Sequence, residues 1–125
     1  MRRVLPLVAL FGLLFAAPAV AADKVDYDAV RSGRQKGEIV LVDIRETDEF
    51  TAGHVPGAIN VPLSTMTPAA LPKPDGKKVV IMCRSGNRTA RLAAQLPGIG
   101  RGDVAEYSGS WLDWTARGGK VVTGR

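Results

Sequence analysis

Continuous apolar runs, separated by polar and glycine-containing segments, indicate a protein built on buried β-strands. The runs Ile39–Val42 and Lys78–Met82 are short and rich in β-branched residues, a pattern typical of strands covered on both faces of a parallel sheet. Two shorter strand candidates are Ala58–Val61 and Val104–Tyr107. Parallel strands need crossover connections, so helices are expected between these runs.

The segments between and around the strand candidates have the composition of helices. The predicted helices span residues 27–36, 46–52, 89–96 and 110–117. The first helix has Asp26 as a candidate N-cap and Gly37 as a stop. The proline-rich stretch from Thr65 to Gly76 predicts an irregular connection on the surface. Strands that alternate with helices predict a single α/β domain with a mostly parallel sheet.

The first 22 residues have the organisation of a secretory signal peptide. Two arginines precede an almost wholly apolar stretch from Val4 to Ala17, and small residues up to Ala22 supply a signal peptidase site. The alternative is an uncleaved membrane anchor, but the apolar run contains prolines and is short for a spanning helix. We therefore expect a signal peptide at 1–22 and an exported domain at 23–125, periplasmic or secreted.

Charge and cysteine content limit the classes of function. Removal of the two N-terminal arginines leaves 15 of the 17 basic residues against 12 acidic ones, a mild formal net charge of +3. No dense basic run indicates nucleic-acid binding. The one cysteine, Cys83, can form no internal disulfide. A lone thiol in an exported protein is either sheltered or reactive, so Cys83 requires an explanation.

Cys83 directly follows the second long apolar run and precedes a short loop and a helix. The carboxyl ends of parallel strands are where α/β sheets bind ligands. The backbone N–H groups of residues 84–88 can form an anion-binding nest, and the following helix adds the positive end of its dipole. Gly86 permits backbone angles closed to most residues. With Arg84 and Arg88, these features predict a thiolate of lowered pKa at Cys83.

The alternative for Cys83 is a structural thiol, because free cysteines are often packed in cores. The guanidinium groups of Arg84 and Arg88 favour reactivity instead, since a packed thiol has no use for them. A thiolate surrounded by N–H donors can attack a sulfane sulfur and then hold the persulfide anion that results. The loop therefore predicts a nucleophilic cysteine.

Three separated motifs resemble the rhodanese family. Val42–Pro62 is similar to the family's N-terminal signature, and Cys83–Thr89, with the sequence CRSGNRT, is similar to its active-site loop. Tyr107–Trp114 is similar to its C-terminal glycine–tryptophan signature. The resemblance extends from Asp26 to Gly119, which is nearly the whole chain after the predicted leader.

The resemblance implies a rhodanese-like single domain of the α/β class, with a mostly parallel sheet of about five strands flanked by helices on both faces. It implies transfer of sulfane sulfur from thiosulfate or a similar anionic donor to cyanide, a thiol or a protein acceptor, without a cofactor. Cys83 matches the catalytic nucleophile. The residues implied to bind substrate are Arg84, Ser85, Gly86, Asn87, Arg88 and Thr89.

Asp43 and Arg45 match positions that support the structure of the site in the family. They follow the first long strand, so we expect a charged pair that holds the site in place. His54 is the only histidine, and its turn has an implied architectural role, because a thiolate held by amides needs no base. One cysteine and one histidine without ligand-like spacing give no pattern of a metal site.

The sequence departs from the family pattern in three places. The glycine-rich break at Pro97–Gly102 predicts a short helix after the active-site loop. Ser110 replaces the second glycine of the usual pair before the tryptophan, and Lys120 stands where proline is common. We expect neither residue to touch the nucleophile, and we expect Trp111 and Trp114 to belong to the core.

Three other functions stay open at this point. The fold also builds phosphatases and arsenate reductases with a cysteine–arginine loop, it can serve as a docking module without chemistry, and a carrier can pass sulfur to another protein. A phosphatase loop of the Cys-x5-Arg type has arginine at its seventh position. Here Arg88 is sixth and Thr89 is seventh, and the shorter loop favours a single sulfane atom over a phosphate group.

Overall fold

The structure, a computed structural model, describes residues 22–125. The predicted signal peptide lies outside the described residues, apart from Ala22. Within the described range, no helix combines the length and the apolar character that crossing a membrane requires.

Five strands form one sheet, and every strand pair in it is parallel. The strands are β1 (Lys24–Val25), β2 (Ile39–Asp43), β3 (Ile59–Asn60), β4 (Lys78–Met82) and β5 (Ala105–Tyr107). Their order across the sheet is β1-β5-β4-β2-β3. The two long apolar runs are thus neighbouring interior strands, as their continuous hydrophobicity predicted. The two-residue strand β1 was not predicted.

Residues 22–125 contain four α-helices, namely α1 (Tyr27–Gln35), α2 (Thr47–Ala52), α3 (Asn87–Gln95) and α4 (Ser110–Ala116). The first three lie between strands, and α4 follows β5. The side chain of Asp26 caps α1 by accepting a hydrogen bond from the Ala29 amide at 2.9 Å, which confirms the predicted N-cap. The helix after the active-site loop begins at Asn87, two residues earlier than predicted. The α-helix ends at Gln95, and a 3₁₀ turn over 96–99 follows it directly.

The core consists of two layers, one on each face of the sheet. Alternate strand residues such as Ile81 pack towards α3, together with Leu92 and Leu96. The residues between them, such as Val80, pack towards Val30 of α1 and the helix α4. Helices therefore cover both faces, and the predicted architecture is confirmed.

Strands β2 and β4 bring the predicted site residues to one edge of the sheet. They pair in register along their whole length, so that Asp43 at the end of β2 lies beside Met82 at the end of β4. The Ile44 amide donates to the Met82 carbonyl at 2.8 Å and extends this pairing by one residue. Because parallel strands share their carboxyl edge, Cys83 emerges beside Asp43 and Arg45.

A buried ion pair connects this edge to α2. Two nitrogens of the Arg45 guanidinium contact the Asp43 carboxylate, the shorter contact being 2.7 Å, and both side chains are almost wholly buried. Arg45 also donates to the Gly53 carbonyl at 2.8 Å, directly after α2. Its guanidinium lies 4.5 Å from the ring centre of Trp111. The expected charged pair therefore joins β2, the end of α2 and the beginning of α4.

Removal of the Arg45 charge should destabilise the domain strongly. In Arg45→Met the Asp43 carboxylate stays buried without its partner, so we expect the free energy of unfolding to fall by about 3–5 kcal/mol. The control Lys78→Met removes a cation from the exposed pair with Asp23 and should cost less than about 1 kcal/mol. Urea denaturation measures both losses, and equal losses would contradict a dominant role for the buried pair.

Candidate active site

The loop after β4 turns back over the sulfur of Cys83 within a few residues. The turn depends on Gly86, whose φ of +95° lies in the left-handed region. A Cβ atom at this position would lie 2.2 Å from the carbonyl oxygen of Ser108, so no other residue fits without a shift of the backbone. Gly86 is also the N-cap of α3, and the amides of the first turn of that helix belong to the site.

The sulfur atom of Cys83 lies among hydrogen-bond donors and acceptors. The Gly86 amide donates to Sγ at 3.2 Å, and the hydroxyl oxygens of Thr89 and Ser110 lie 3.8 and 3.9 Å away. The Thr89 hydroxyl itself donates to the Gly86 carbonyl at 2.8 Å, which fixes the loop on the helix. The Cys83 side chain is fully buried. The sequence analysis treated a buried structural thiol and a reactive thiolate as alternatives. In the structure, Cys83 is both buried and surrounded by polar groups.

The polar environment outweighs burial in its effect on the thiol. Burial raises the pKa of Cys83, but hydrogen bonds that the sulfur forms with the Thr89 and Gly86 amides and with the Thr89 and Ser110 hydroxyls lower it by more. The net pKa lies below the ordinary value, as the sequence predicted. The groups that lower it most are these loop and helix hydrogen bonds, whereas the prediction had also relied on the two arginines.

Ser110 contacts Cys83, the predicted nucleophile, contrary to the sequence-based expectation. Its hydroxyl oxygen accepts a hydrogen bond from the Cys83 amide at 3.1 Å, and its single hydrogen can be donated either to the Tyr107 carbonyl at 2.8 Å or to the Cys83 sulfur at 3.9 Å. Its backbone has a φ of +56°, so the serine keeps the left-handed conformation that the usual glycine would adopt easily. The sequence signal was present, because a serine in place of glycine at a strained position needs a compensating contact.

The beginning of α4 holds the active-site loop through its backbone. The Trp111 amide donates to the Cys83 carbonyl and the Leu112 amide to the Arg84 carbonyl, both at 3.0 Å. Trp114 is buried in the core as predicted, and the half-buried Trp111 packs against the same core cluster and beside Arg45. The tryptophan motif therefore serves the loop as well as the core.

The two arginines of the loop have different surroundings. Arg88 forms a bidentate ion pair with Glu49 of α2, with N–O distances of 2.7 and 3.0 Å. The hydrogen bond with Glu49 raises the pKa of Arg88, and burial opposes it. Arg84 is exposed, and its side chain forms no hydrogen bond or ion pair with residues 22–125. The exposed guanidinium at the rim of the site is thus that of Arg84.

Of the remaining candidate residues of the loop, two are exposed and two are buried. Ser85 and Asn87 are exposed at the rim, whereas Gly86 and Thr89 are buried against the sulfur. Glu49 is a site residue that the sequence did not assign. Its distance from Arg88 along the chain, 39 residues, gave no local signal for the pairing.

His54 is part of the architecture and forms no contact with the sulfur. Its Nδ1 lies 2.8 Å from the Phe50 carbonyl, and its ring stacks on the Phe50 ring at 3.7 Å. Its backbone forms an antiparallel bridge with Val122. Among the described residues, no group of three or more His, Cys, Asp or Glu side chains could hold a metal ion.

Comparison with known proteins finds relatives that include several proteins named as sulfurtransferases. The family model of the rhodanese-like domain matches residues 26–117. A thiosulfate:glutathione sulfurtransferase of Saccharomyces cerevisiae is 32% identical over 100 residues, covering 70% of this chain and 72% of the yeast protein. An uncharacterized protein of Synechocystis is 36% identical over 85 residues, 68% of this chain. This chain spans about half the length of that protein, because the match covers 48% of it.

The fold has a relative of the same kind. The human single-domain sulfurtransferase superposes with a TM-score of 0.63 at 29% identity, covering 77% of this chain and 97% of the human chain. The family match spans strands β2 to β5, the Cys83 loop and α4, and therefore includes the elements that form the candidate site. This chain therefore belongs to the rhodanese-like domain family.

Proposed function

We propose that this protein is a sulfurtransferase that moves sulfane sulfur from thiosulfate, or a similar anionic donor, to cyanide or a thiol. The observation that carries the proposal is the Cys83 sulfur, which accepts the Gly86 amide hydrogen at 3.2 Å and has a lowered pKa. The sulfurtransferases among the relatives support a rhodanese-type transferase in general terms. The donor and the persulfide mechanism are our inference from the site.

The proposed reaction has two displacements at sulfur. The Cys83 thiolate attacks the outer sulfur of thiosulfate, a new S–S bond forms, and the bond to the oxidised sulfur breaks so that sulfite leaves with the electron pair. Cyanide or a thiolate then attacks the outer persulfide sulfur, which yields thiocyanate or a new persulfide and restores the Cys83 thiolate. Because the transferred sulfur is already at the sulfane oxidation level and each leaving group takes the electron pair of the broken S–S bond, no external oxidant is needed.

The loop suits the persulfide in both charge and size. The terminal sulfur of a persulfide is anionic, and the backbone amides at the start of α3 can stabilise it together with the helix dipole. Cys83 and Arg88 enclose one residue fewer than the phosphatase loop of the Cys-x5-Arg type, which leaves less room for a tetrahedral phosphate. The Arg88 guanidinium, which a phosphate would require, is already paired with Glu49.

Access to the sulfur requires local opening of the site. Cys83 has no exposed surface, so a donor cannot contact Sγ until a neighbouring group moves. The exposed rim residues Arg84, Ser85 and Asn87 lie on the loop itself. We propose that the anionic donor first meets Arg84, because that guanidinium is unpaired among the described residues, and that Arg88 assists from its position beside Glu49.

The acceptor and the place of action follow from the same proposal. A small thiol and a persulfide-accepting protein are chemically equivalent acceptors at the outer sulfur. We propose that the domain acts outside the cytoplasm, since the leader at positions 1–22 has the pattern of an export signal.

Sulfur uptake should depend wholly on Cys83. Incubation with thiosulfate should add the mass of one sulfur atom to the purified protein, and cyanide should remove it; Cys83→Ser should show neither change, because the chain has no other thiol. Intact mass spectrometry and thiocyanate release measure the two steps. The same preparation should not hydrolyse an aryl phosphate, and ready hydrolysis without sulfur uptake would identify a phosphatase instead.

Loss of the Ser110 hydroxyl should raise the pKa of Cys83. With fewer hydrogen bonds to the sulfur, a smaller fraction is thiolate at a given pH, so the midpoint of the alkylation rate should move to higher pH. Ser110→Ala keeps the strained left-handed backbone and Ser110→Gly relieves it, so an equal shift in both assigns the effect to the hydroxyl. An unchanged midpoint in both variants would show that Ser110 only shapes the turn.

Donor binding should depend on the charge balance between Arg84, Arg88 and Glu49. Arg84→Ala should lower kcat/KM for thiosulfate about tenfold or more, since a charge-assisted contact contributes about 1.5–3 kcal/mol. Glu49→Gln should lower the KM for thiosulfate, because Arg88 loses its competing carboxylate. Steady-state kinetics measure both. Arg91→Ala, an exposed site on α3, is the matched charge control, and an equal loss there would contradict direct binding by Arg84.

A further inference from the structure

A second concave surface lies between α1 and the end of α4. It encloses about 590 Å³ and contains no residue of the active-site loop. Its cationic lining consists of Arg31 and Arg34 of α1 together with Arg117 and Lys120. No carboxylate lines it within the described range. We call this surface the basic cleft.

Most of the positive charge of the basic cleft has no internal partner. Arg117 is paired with Asp113, with an N–O distance of 2.8 Å. Arg31, Arg34 and Lys120 form no ion pair with any carboxylate of residues 22–125. The two arginines are three residues apart on α1, so their side chains lie on the same helix face. Three positive charges thus converge on one concave surface without compensation.

Arg34 is the least exposed of the three unpaired cations. Its guanidinium lies against Gly57, where a Cβ atom would be only 2.6 Å from Nη2. The side chain is half-buried, and burial lowers the pKa of Arg34 because no anion offsets the lost hydration. A bound anion would restore the missing partner, and its attraction would be strengthened by the apolar neighbours Val55 and Trp114.

We propose that the basic cleft binds a small molecule that carries a short chain of phosphates. We infer phosphate because a guanidinium group can bind two phosphate oxygens through two parallel hydrogen bonds. A terminal diphosphate has about three negative charges near neutral pH, equal to the number of uncompensated cations. The volume falls within the range of about 300–1,000 Å³ that is usual for small-molecule sites, so a single oxyanion would leave most of it empty.

Calorimetric titration of the purified protein tests the proposal with three probes. ADP and inorganic pyrophosphate should both bind, and adenosine, which lacks phosphate, should not. Tighter binding of ADP than of pyrophosphate would identify a nucleotide as the ligand, whereas equal binding would identify the phosphate chain alone. Absence of binding by both phosphate probes at millimolar concentration would overturn the proposal.

Charge variants locate the site within the molecule. Arg34→Ala and, separately, the exposed Arg31→Ala should each weaken binding of the phosphate probes about tenfold. Lys36→Ala removes the same charge just after α1 from a residue outside the cleft, and Arg84→Ala removes it from the active-site loop. Both controls should keep Kd within about twofold. Equal weakening in the controls would overturn the assignment to this cleft, whatever the outcome of the sulfur-transfer assays.

Discussion

The close approach of the Gly86 backbone to Ser108 determines the geometry of the site. The chain must leave β4, pass over the sulfur of Cys83 and enter α3 within four residues, which requires a left-handed backbone with no Cβ atom. This turn brings the Gly86 amide to the sulfur and places Thr89 on the same side. It also sets the direction of α3, from which Arg88 reaches Glu49. A larger side chain at Gly86 would separate all of these contacts at once.

Two ion pairs transmit this geometry from the sheet to the rim of the site. Arg45 joins the buried Asp43 carboxylate to the carbonyl of Gly53 and therefore fixes the end of α2. Glu49 of α2 then holds the Arg88 guanidinium with both oxygens. The inner pair, Arg45 with Asp43, is buried, so its charges must be fully hydrogen-bonded. The outer pair, Arg88 with Glu49, is partly exposed, so Arg88 can exchange its partner. The inner pair is thus suited to stabilising the structure. Under the proposed function, the outer pair can adjust the positive charge that an anionic donor meets.

Positive charge is organised in two separate places on this small domain. At the active-site loop, Arg88 is largely neutralised by Glu49, and the lowered pKa of Cys83 comes mainly from hydrogen bonds. In the basic cleft, three cations have no carboxylate partner among residues 22–125. The first arrangement suits a reactive anion that must form and leave, because its stabilisation is moderate. The second suits a ligand that binds through its own charge.

The sequence by itself determined the interior strands, the cap at Asp26 and the position of Cys83 after β4, because these depend on local composition and on residues adjacent in the chain. The sequence could not predict strand β1, because two residues show no periodicity and form a strand only by pairing with β5. The contact of Ser110 with Cys83, 27 residues away, and that of Glu49 with Arg88 were likewise decided by the tertiary structure. So was the basic cleft, whose cations come from α1 and from the segment after α4. Long-range packing between elements brings these groups together, and the spacing of residues along one element fixes only which of its own side chains share a face.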